Sequence, residues 1–330
     1  MKKIALIVDK DNWAFYNIAT NIKKYLQNEF EITIFVREYI ENIVTLIFAL
    51  QDYDLVHFFW RGDLSLFDNE FVKEYLKYSG IDYNLFYNKY ISKLNITTSV
   101  YDHLFLEKKD FDFTNKILNI SKNYSVCSKK LFDIYQKKFI KKPAAIITDG
   151  IDLNLFNGQQ KTLGKKIVIG WVGNSNWGRE YYEDAKGVKT ILNPSIKILK
   201  DKGYNIIECY ADSSKKFIEK AKMPEYYKNI DILICSSLFE GTPNPVLEAM
   251  ASGIPIVTTN VGVVNELFGK KQKKFIMKER TVNELVSKLE ELINNKKLYK
   301  DISKENLNSI KKWVWEKKAE DFKSFFKANL

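Results

Sequence analysis

The chain has 330 residues, 45% hydrophobic and 28% charged, which places it among globular proteins and excludes a disordered chain. Its 14 glycines and 6 prolines are too few for a collagen-like or Gly/Ser-linker class, and only Gly62, Gly80 and Pro143 precede Asp149, so any glycine-rich grip on a phosphate belongs to the second half. A formal net charge of +11 suits nucleic acid, an anionic membrane surface or a phosphorylated substrate, and equally follows from a Lys-rich composition.

From the start of the chain, a short apolar run at 3–8 has the character of a buried strand, and 13–27 that of an amphipathic helix. Further strands are predicted at 31–36, 55–59, 97–101, 125–127 and 144–148, with helices at 69–78 and 129–138 between them. The aromatic and lysine-rich stretch 71–94 fits either an interfacial or acceptor-binding surface or a helix pair packed on a sheet. Turn formers without a period at 149–164 predict a linker. A second alternating series follows: strands at 166–172, 205–210, 231–235 and 256–258, and helices at 187–202, 245–252, 282–295 and 311–327. The run KKQKK at 270–274 has the texture of a solvated loop.

Strands alternating with helices mean βαβ units and parallel sheets. The expected organisation is an α/β protein: a first domain at 1–155, a second at 165–310, and a C-terminal helix at 311–330 that packs back on the first. Two such domains joined once predict a deep cleft between them as the binding site. The opening apolar run is too short for a secretion signal, and the apolar stretch at 43–50 is too short to span a bilayer. Cys127, Cys209 and Cys235 are far apart, with no CxxC, and the histidines are only His57 and His103. These predict neither a zinc site nor disulfides, and so a reducing cytoplasm.

The segment YYKNIDILICSSLFEGTPNPVLEAMASGIPIVTTNVG carries the most chemistry. A strand at 231–235 leads into a loop, and Asn244 is placed to cap a helix whose first position is Pro245. Gly253 and Pro255 end that helix. Backbone amides at a helix start on the carboxyl edge of a sheet suit an anion. Two carboxylates, Glu240 and Glu248, accompany them. Leu247 occupies the third helical position that a capping box needs, and Val246, Leu247, Ala249 and Met250 cover the apolar side. Glu248 therefore faces either water or a cleft. Carboxylates beside an anion site are compatible with sugar or ribose hydroxyls, and a nucleotide sugar offers both parts.

Glu240 and Glu248 within EGTPNPVLEAMASGIPIVTT resemble the signature of retaining glycosyltransferases of the GT-B fold, family 4 type. IGWVGNSNW, AKGVKTIL, MPEYYKNIDILICSS, VGVVNELFG and TDGIDLNLF resemble further segments of that family. The resemblance implies two Rossmann-like domains facing a deep cleft. It also implies that Glu240 contacts donor-sugar hydroxyls, that Glu248 holds the ribose, and that Gly241, Thr242, Pro243 and Asn244 line the sugar and diphosphate. Lys186 would neutralise the leaving diphosphate. The family has Arg after the glycine of the first loop of the second domain; here Gly173 is followed by Asn174, and Arg179 is the substitute cation. Asp102 and His103 in SVYDHLF stand for the family's HD-like pair near the reacting sugar, and 9–15 replaces the acceptor glycine loop.

The resemblance implies transfer of a sugar from a nucleotide-diphosphate sugar to a glycan, lipid-linked or other cell-surface polymer acceptor, as in polysaccharide biosynthesis. It implies retention of configuration with neither metal nor cofactor, in the cytoplasm, with peripheral contact at the inner membrane face compatible with the charge. A non-catalytic sugar-nucleotide-binding protein on the same fold is the alternative. A basic nucleic-acid binder is a further one, though no nucleic-acid motif is present and no nucleic-acid partner is expected.

Overall fold

A computed structural model describes residues 1–180 and 182–330, which form two compact units, 1–149 with 315–330 and 150–314. Each is built on a parallel sheet.

The first unit's strands are β1 (Lys2–Val8), β2 (Phe30–Val36), β3 (Leu55–Phe58), β4 (Ile96–Val100), β5 (Asn123–Val126) and β6 (Ala145–Ile146), in the order β2-β1-β3-β4-β5-β6. Ile4 to Val8 are wholly buried because β1 has a strand on each edge and helices over both faces, so it reads as a continuous apolar run rather than an alternating one. The helix Ala14–Leu26 buries Ile18, Ala19, Ile22 and Leu26, a helical stripe, on one face of this sheet. The C-terminal helix Trp315–Asn329 completes that layer with Trp315, Ala319, Phe322 and Phe326. Its end is fastened where Asn95 Nδ2 and Lys122 Nζ donate to the carbonyl of Asn329 at 2.7 and 2.8 Å. His57 on β3 is a core residue: its ring nitrogens lie 3.0 Å from Thr97 Oγ1 and 3.1 Å from Ser99 Oγ, and burial pushes its pKa down to about 3.

The second unit's strands are β7 (Ile167–Gly173), β8 (Ile206–Asp212), β9 (Ile232–Cys235), β10 (Ile256–Thr259) and β11 (Ile276–Met277), in the order β11-β10-β9-β7-β8. One face carries the cluster of Leu192, Ile196, Leu199, Leu285 and Leu289; the other carries Val246, Leu247, Met250 and Tyr227. Residues 150–164, expected as a linker, belong to this unit. Ile151 bridges to Val314, Phe156 is buried, and the Gly158 amide donates to the Ala251 carbonyl at 2.9 Å. Ile151, Phe156 and Leu163 are buried while 157–160 stay exposed, so the segment is tied down at a few points along an otherwise solvated path. In the KKQKK run, Gln272 is buried and exchanges hydrogen bonds with both backbone groups of Ile256, so only its lysines are solvated.

In both sheets the second strand in sequence lies on one side of the first and the third on the other: β2-β1-β3, and β8-β7-β9. The chain reverses direction across the sheet there, and the loops leaving the two neighbouring strands splay apart above the carboxyl edge. Among the described residues no helix is long and apolar enough to cross a membrane.

Candidate functional site

In the second unit the reversal lies between β7 and β9, which pair through Ile169↔Ile232 and Gly170↔Leu233. The loop after β7 ends in Lys186 and Gly187; the loop after β9 carries Ser236 to Pro243. Strand adjacency thus brings together residues far apart in the sequence. Lys186 Nζ donates to Glu240 Oε1 at 2.6 Å, and the same oxygen accepts from Ser237 Oγ at 2.7 Å. The two charged side chains are only 16% and 20% exposed, so their attraction is less screened than that of a surface pair. Lys186 Nζ also sits 4.9 Å above the Trp177 ring.

This corner is rigid for identifiable reasons. Gly187 has φ +73°, and a side chain there would collide with the Ser236 carbonyl. Ser236 Oγ donates to the carbonyls of Lys186 and Gly187 at 2.9 and 3.2 Å, and the Leu238 amide donates to Ala185 O at 2.8 Å. Arg280 bridges the two loops, with Nε donating to Ser236 O at 2.7 Å and Nη2 to Asp184 O at 2.6 Å. The Asp184 carboxylate accepts the amides of Val188, Lys189 and Thr190 at the start of the following helical segment. Burial alone would raise its pKa, but these bonds prevail and hold it below the ordinary range.

The signature helix runs Asn244–Ala251, one residue earlier than expected. Pro243 takes the cap position without a side-chain bond, so Asn244 is the first helical residue and not the cap, and Pro245 the second. Gly253 ends the helix with φ +70°, as its position predicts. Gly241, Thr242 and Pro243 are buried. Glu248 is less buried than Leu247 and Ala249 on either side of it. It is half-buried, and Tyr227 Oη, from the helix Met223–Lys228, donates to its Oε2 at 2.9 Å. Burial pushes the Glu248 pKa up to about 7, against the opposing pull of the Tyr227 bond and the Lys220 charge.

Gly173 ends β7, and Asn174 Oδ1 accepts the Asn176 amide at 2.9 Å in a tight turn. Arg179 is exposed further along the same loop.

In the first unit Asp102 and His103 follow β4. Both Asp102 oxygens are taken by Arg61, at 3.0 and 2.8 Å, and Oδ1 also accepts the Leu104 amide. Arg61 is 1% exposed and lies 5.1 Å from the Trp60 ring and 5.4 Å from the Phe105 ring. Asp102 thus anchors the loop that carries the buried His103, and Phe105 in that loop has φ +59°. At this sheet's own reversal, between β1 and β3, Asp9 and Asp63 each present a buried carboxylate oxygen without a hydrogen-bond partner, and burial pushes Asp63 up to about 6.

Ser237, Tyr227, Trp177, Arg280 and Asp63 were not found from the sequence. Ser237 and Tyr227 lie inside segments already singled out, but nothing in spacing distinguishes a tyrosine that bonds a carboxylate from one that only packs. Arg280 lies 44 residues beyond the Ser236 that it holds, with no motif between them.

Residues 214–308, which contain both signature glutamates, match the family model described as Glycosyl transferases group 1. The chain carries a glycosyl transferases group 1 domain. The chain is also similar to curated proteins. Protein CapJ of Staphylococcus aureus is 30% identical over 171 residues, covering 46% of this chain and 40% of the relative. The capsular polysaccharide biosynthesis glycosyltransferase CapM of the same organism is 25% identical over 192 residues, covering 51% of this chain and 48% of the relative. The matched regions therefore span less than half of either relative. Among solved structures, HepE of Anabaena in complex with UDP-glucose has a TM-score of 0.71 at 12% identity, over 99% of this chain and 100% of that one. Sucrose-phosphate synthase of Thermosynechococcus elongatus has a TM-score of 0.68 at 12% identity, over 99% of each chain. At that identity the likeness shows the fold, which is GT-B with two Rossmann-like units. Gly173, Asn174, Arg179 and Lys186 precede the segment matched to the group 1 family, yet strand order delivers Lys186 to that domain's Glu240.

Proposed function

We propose that the chain is a retaining glycosyltransferase of family 4 type that takes a sugar from a nucleotide-diphosphate sugar and passes it to a glycan or lipid-linked acceptor in cell-surface polysaccharide synthesis. The observation that carries this reading is the Lys186–Glu240 pair at the reversal of the second sheet. It sets a cation and a hydroxyl-binding carboxylate side by side, as a donor with an anionic half and a sugar half requires. That HepE was solved with UDP-glucose, and that CapM is a capsular polysaccharide biosynthesis glycosyltransferase, supports donor class and pathway.

In this reading the donor diphosphate draws Lys186 away from Glu240, and Ser237 keeps the freed carboxylate oriented toward sugar hydroxyls. Glu248, oriented by Tyr227, accepts from the ribose hydroxyls. Gly241, Thr242, Pro243 and Asn244 lie against the sugar and diphosphate. Gly173, Asn174 and Arg179 border the diphosphate, with Arg179 the second cation. As the bond from the sugar carbon to the diphosphate oxygen breaks, Lys186 stabilises the charge that develops there. The acceptor oxygen bonds to the same face of that carbon, and its proton passes to the departing diphosphate, so configuration is retained. No metal or cofactor takes part. Acceptor handling is assigned to the first unit, with His103 as its candidate group and Asp102 holding the loop that carries it.

The test is a panel of nucleotide-diphosphate sugars screened by thermal stabilisation, followed by transfer assays with product anomers resolved by NMR. At least one donor should stabilise the chain and yield a product of retained configuration. An inverted product rules out the retaining mechanism, and donor binding with neither transfer nor hydrolysis across the panel favours a binding protein.

A further inference from the structure

The helix Glu70–Tyr78 is apolar on two sides. Val72 and Leu76 face the core, while Phe71, Tyr75 and Tyr78, at i, i+4 and i+7, form a ridge in solvent with exposures of 83%, 49% and 94%. Ile81 and Leu85, further along the chain, are exposed at 41% and 71%. Exposed large apolar residues are ordinarily scattered singly, so a contiguous row of this kind marks a surface that meets something. Lys77, Lys89 and Lys93 are exposed in the same stretch. The acids there are Glu70, Glu74 and Asp82, and the Asp82 carboxylate is occupied with the Leu85 amide at 2.9 Å. Lys73 is committed to Asp68 and Glu70 at 3.0 and 3.1 Å.

We infer that this ridge seats the protein on an anionic lipid bilayer. Tyrosine and phenylalanine suit the headgroup boundary, where an apolar ring and a hydroxyl are both accommodated. Exposed lysines in the same segment match a negative surface. A second copy of the chain is a poorer occupant, because it would set Lys77, Lys89 and Lys93 against their own counterparts. The inference does not rest on the proposed transfer reaction, since vesicle binding is read without a donor.

Co-sedimentation of the full chain with vesicles tests it. Vesicles of phosphatidylcholine containing phosphatidylglycerol should capture the protein, pure phosphatidylcholine vesicles should not, and added salt should weaken capture. Replacing Phe71, Tyr78 and Leu85 together by Ser should lower binding by about tenfold or more. Lys77→Ala with Lys93→Ala should lower it by about tenfold or more and remove the preference for anionic lipid. Phe217→Ser, at a 57% exposed position of the second unit, should change nothing. All these side chains are exposed, so melting temperatures should hold; if the triple variant melts early, Phe71→Ser alone and the lysine pair carry the test. Equal capture by neutral vesicles overturns the inference, as does undiminished binding of the ridge variants. A concentration-dependent dimer dissolved by the ridge variants, with no vesicle capture of either protein, replaces it with self-association.

Discussion

Tyr227 Oη donates to Glu248 Oε2 at 2.9 Å, and the carboxylate it holds is desolvated enough to titrate at about 7. Because only the ionised form is a strong acceptor for ribose hydroxyls, nucleotide affinity should rise between about pH 6 and pH 8. Glu248→Ala should weaken nucleotide binding by about tenfold or more and flatten that profile. Tyr227→Phe removes a bond to the charged form and should move the midpoint upward. Calorimetric titration across pH checks all three; a wild-type profile without slope would remove Glu248 from the ribose.

The same group makes stability depend on pH. Its folded-state pKa lies above its unfolded value, so between about pH 4.5 and 7 the folded chain keeps a proton that the unfolded chain has lost. Its contribution is fully present below that window and is lost as pH rises through it. Glu248→Gln should therefore gain stability relative to the parent from low to high pH, by up to about 3 kcal/mol, as read from denaturant midpoints.

Lys186→Ala removes the charge assigned to the leaving diphosphate. It should lower kcat by about a hundredfold or more, with a smaller effect on KM, because the demand for that charge is greatest in the transition state. Glu248→Ala should act mainly through nucleotide affinity. Steady-state kinetics of the two variants separate these roles, and equal losses in kcat would take Lys186 out of the leaving-group position.

Asp102 is bound on both oxygens by the buried Arg61. Asp102→Ala strands a buried guanidinium and should cost about 3–5 kcal/mol of stability. Denaturant melts of Asp102→Ala and of the double variant with Arg61→Met distinguish an anchor from a catalyst. An anchor is partly rescued by removing its partner. A catalytic acid would leave stability near that of the parent and activity lost in both.

Gly187→Ala forces a side chain into a left-handed conformation and against the Ser236 carbonyl. The backbone conformation alone should cost about 1–2 kcal/mol, and relief of the collision must move Lys186. Melting temperature and kcat should fall together; a drop in stability with kcat unchanged would show that the placement of Lys186 tolerates loop movement.

Local chemistry was enough to read much of this protein. The continuous apolar run Ile4 to Val8 favoured a doubly covered parallel strand, and Gly253 followed by Pro255 favoured a helix end, because these signals depend on burial pattern and backbone sterics near each residue. The two signature glutamates were legible for the same reason, since loop, helix and acids lie within a few residues of one another. Tertiary structure decided what each acid meets. Glu240 finds Lys186 across 54 residues because β7 and β9 are neighbours, and Glu248 finds Tyr227 because a separate helix packs over the signature helix. Asp102 became an anchor through Arg61, 41 residues earlier, and the turn-rich segment placed Ile151 and Phe156 in a core. Each of these outcomes depends on which strands adjoin and which faces pack, a property of the assembled layers that no short window of sequence contains.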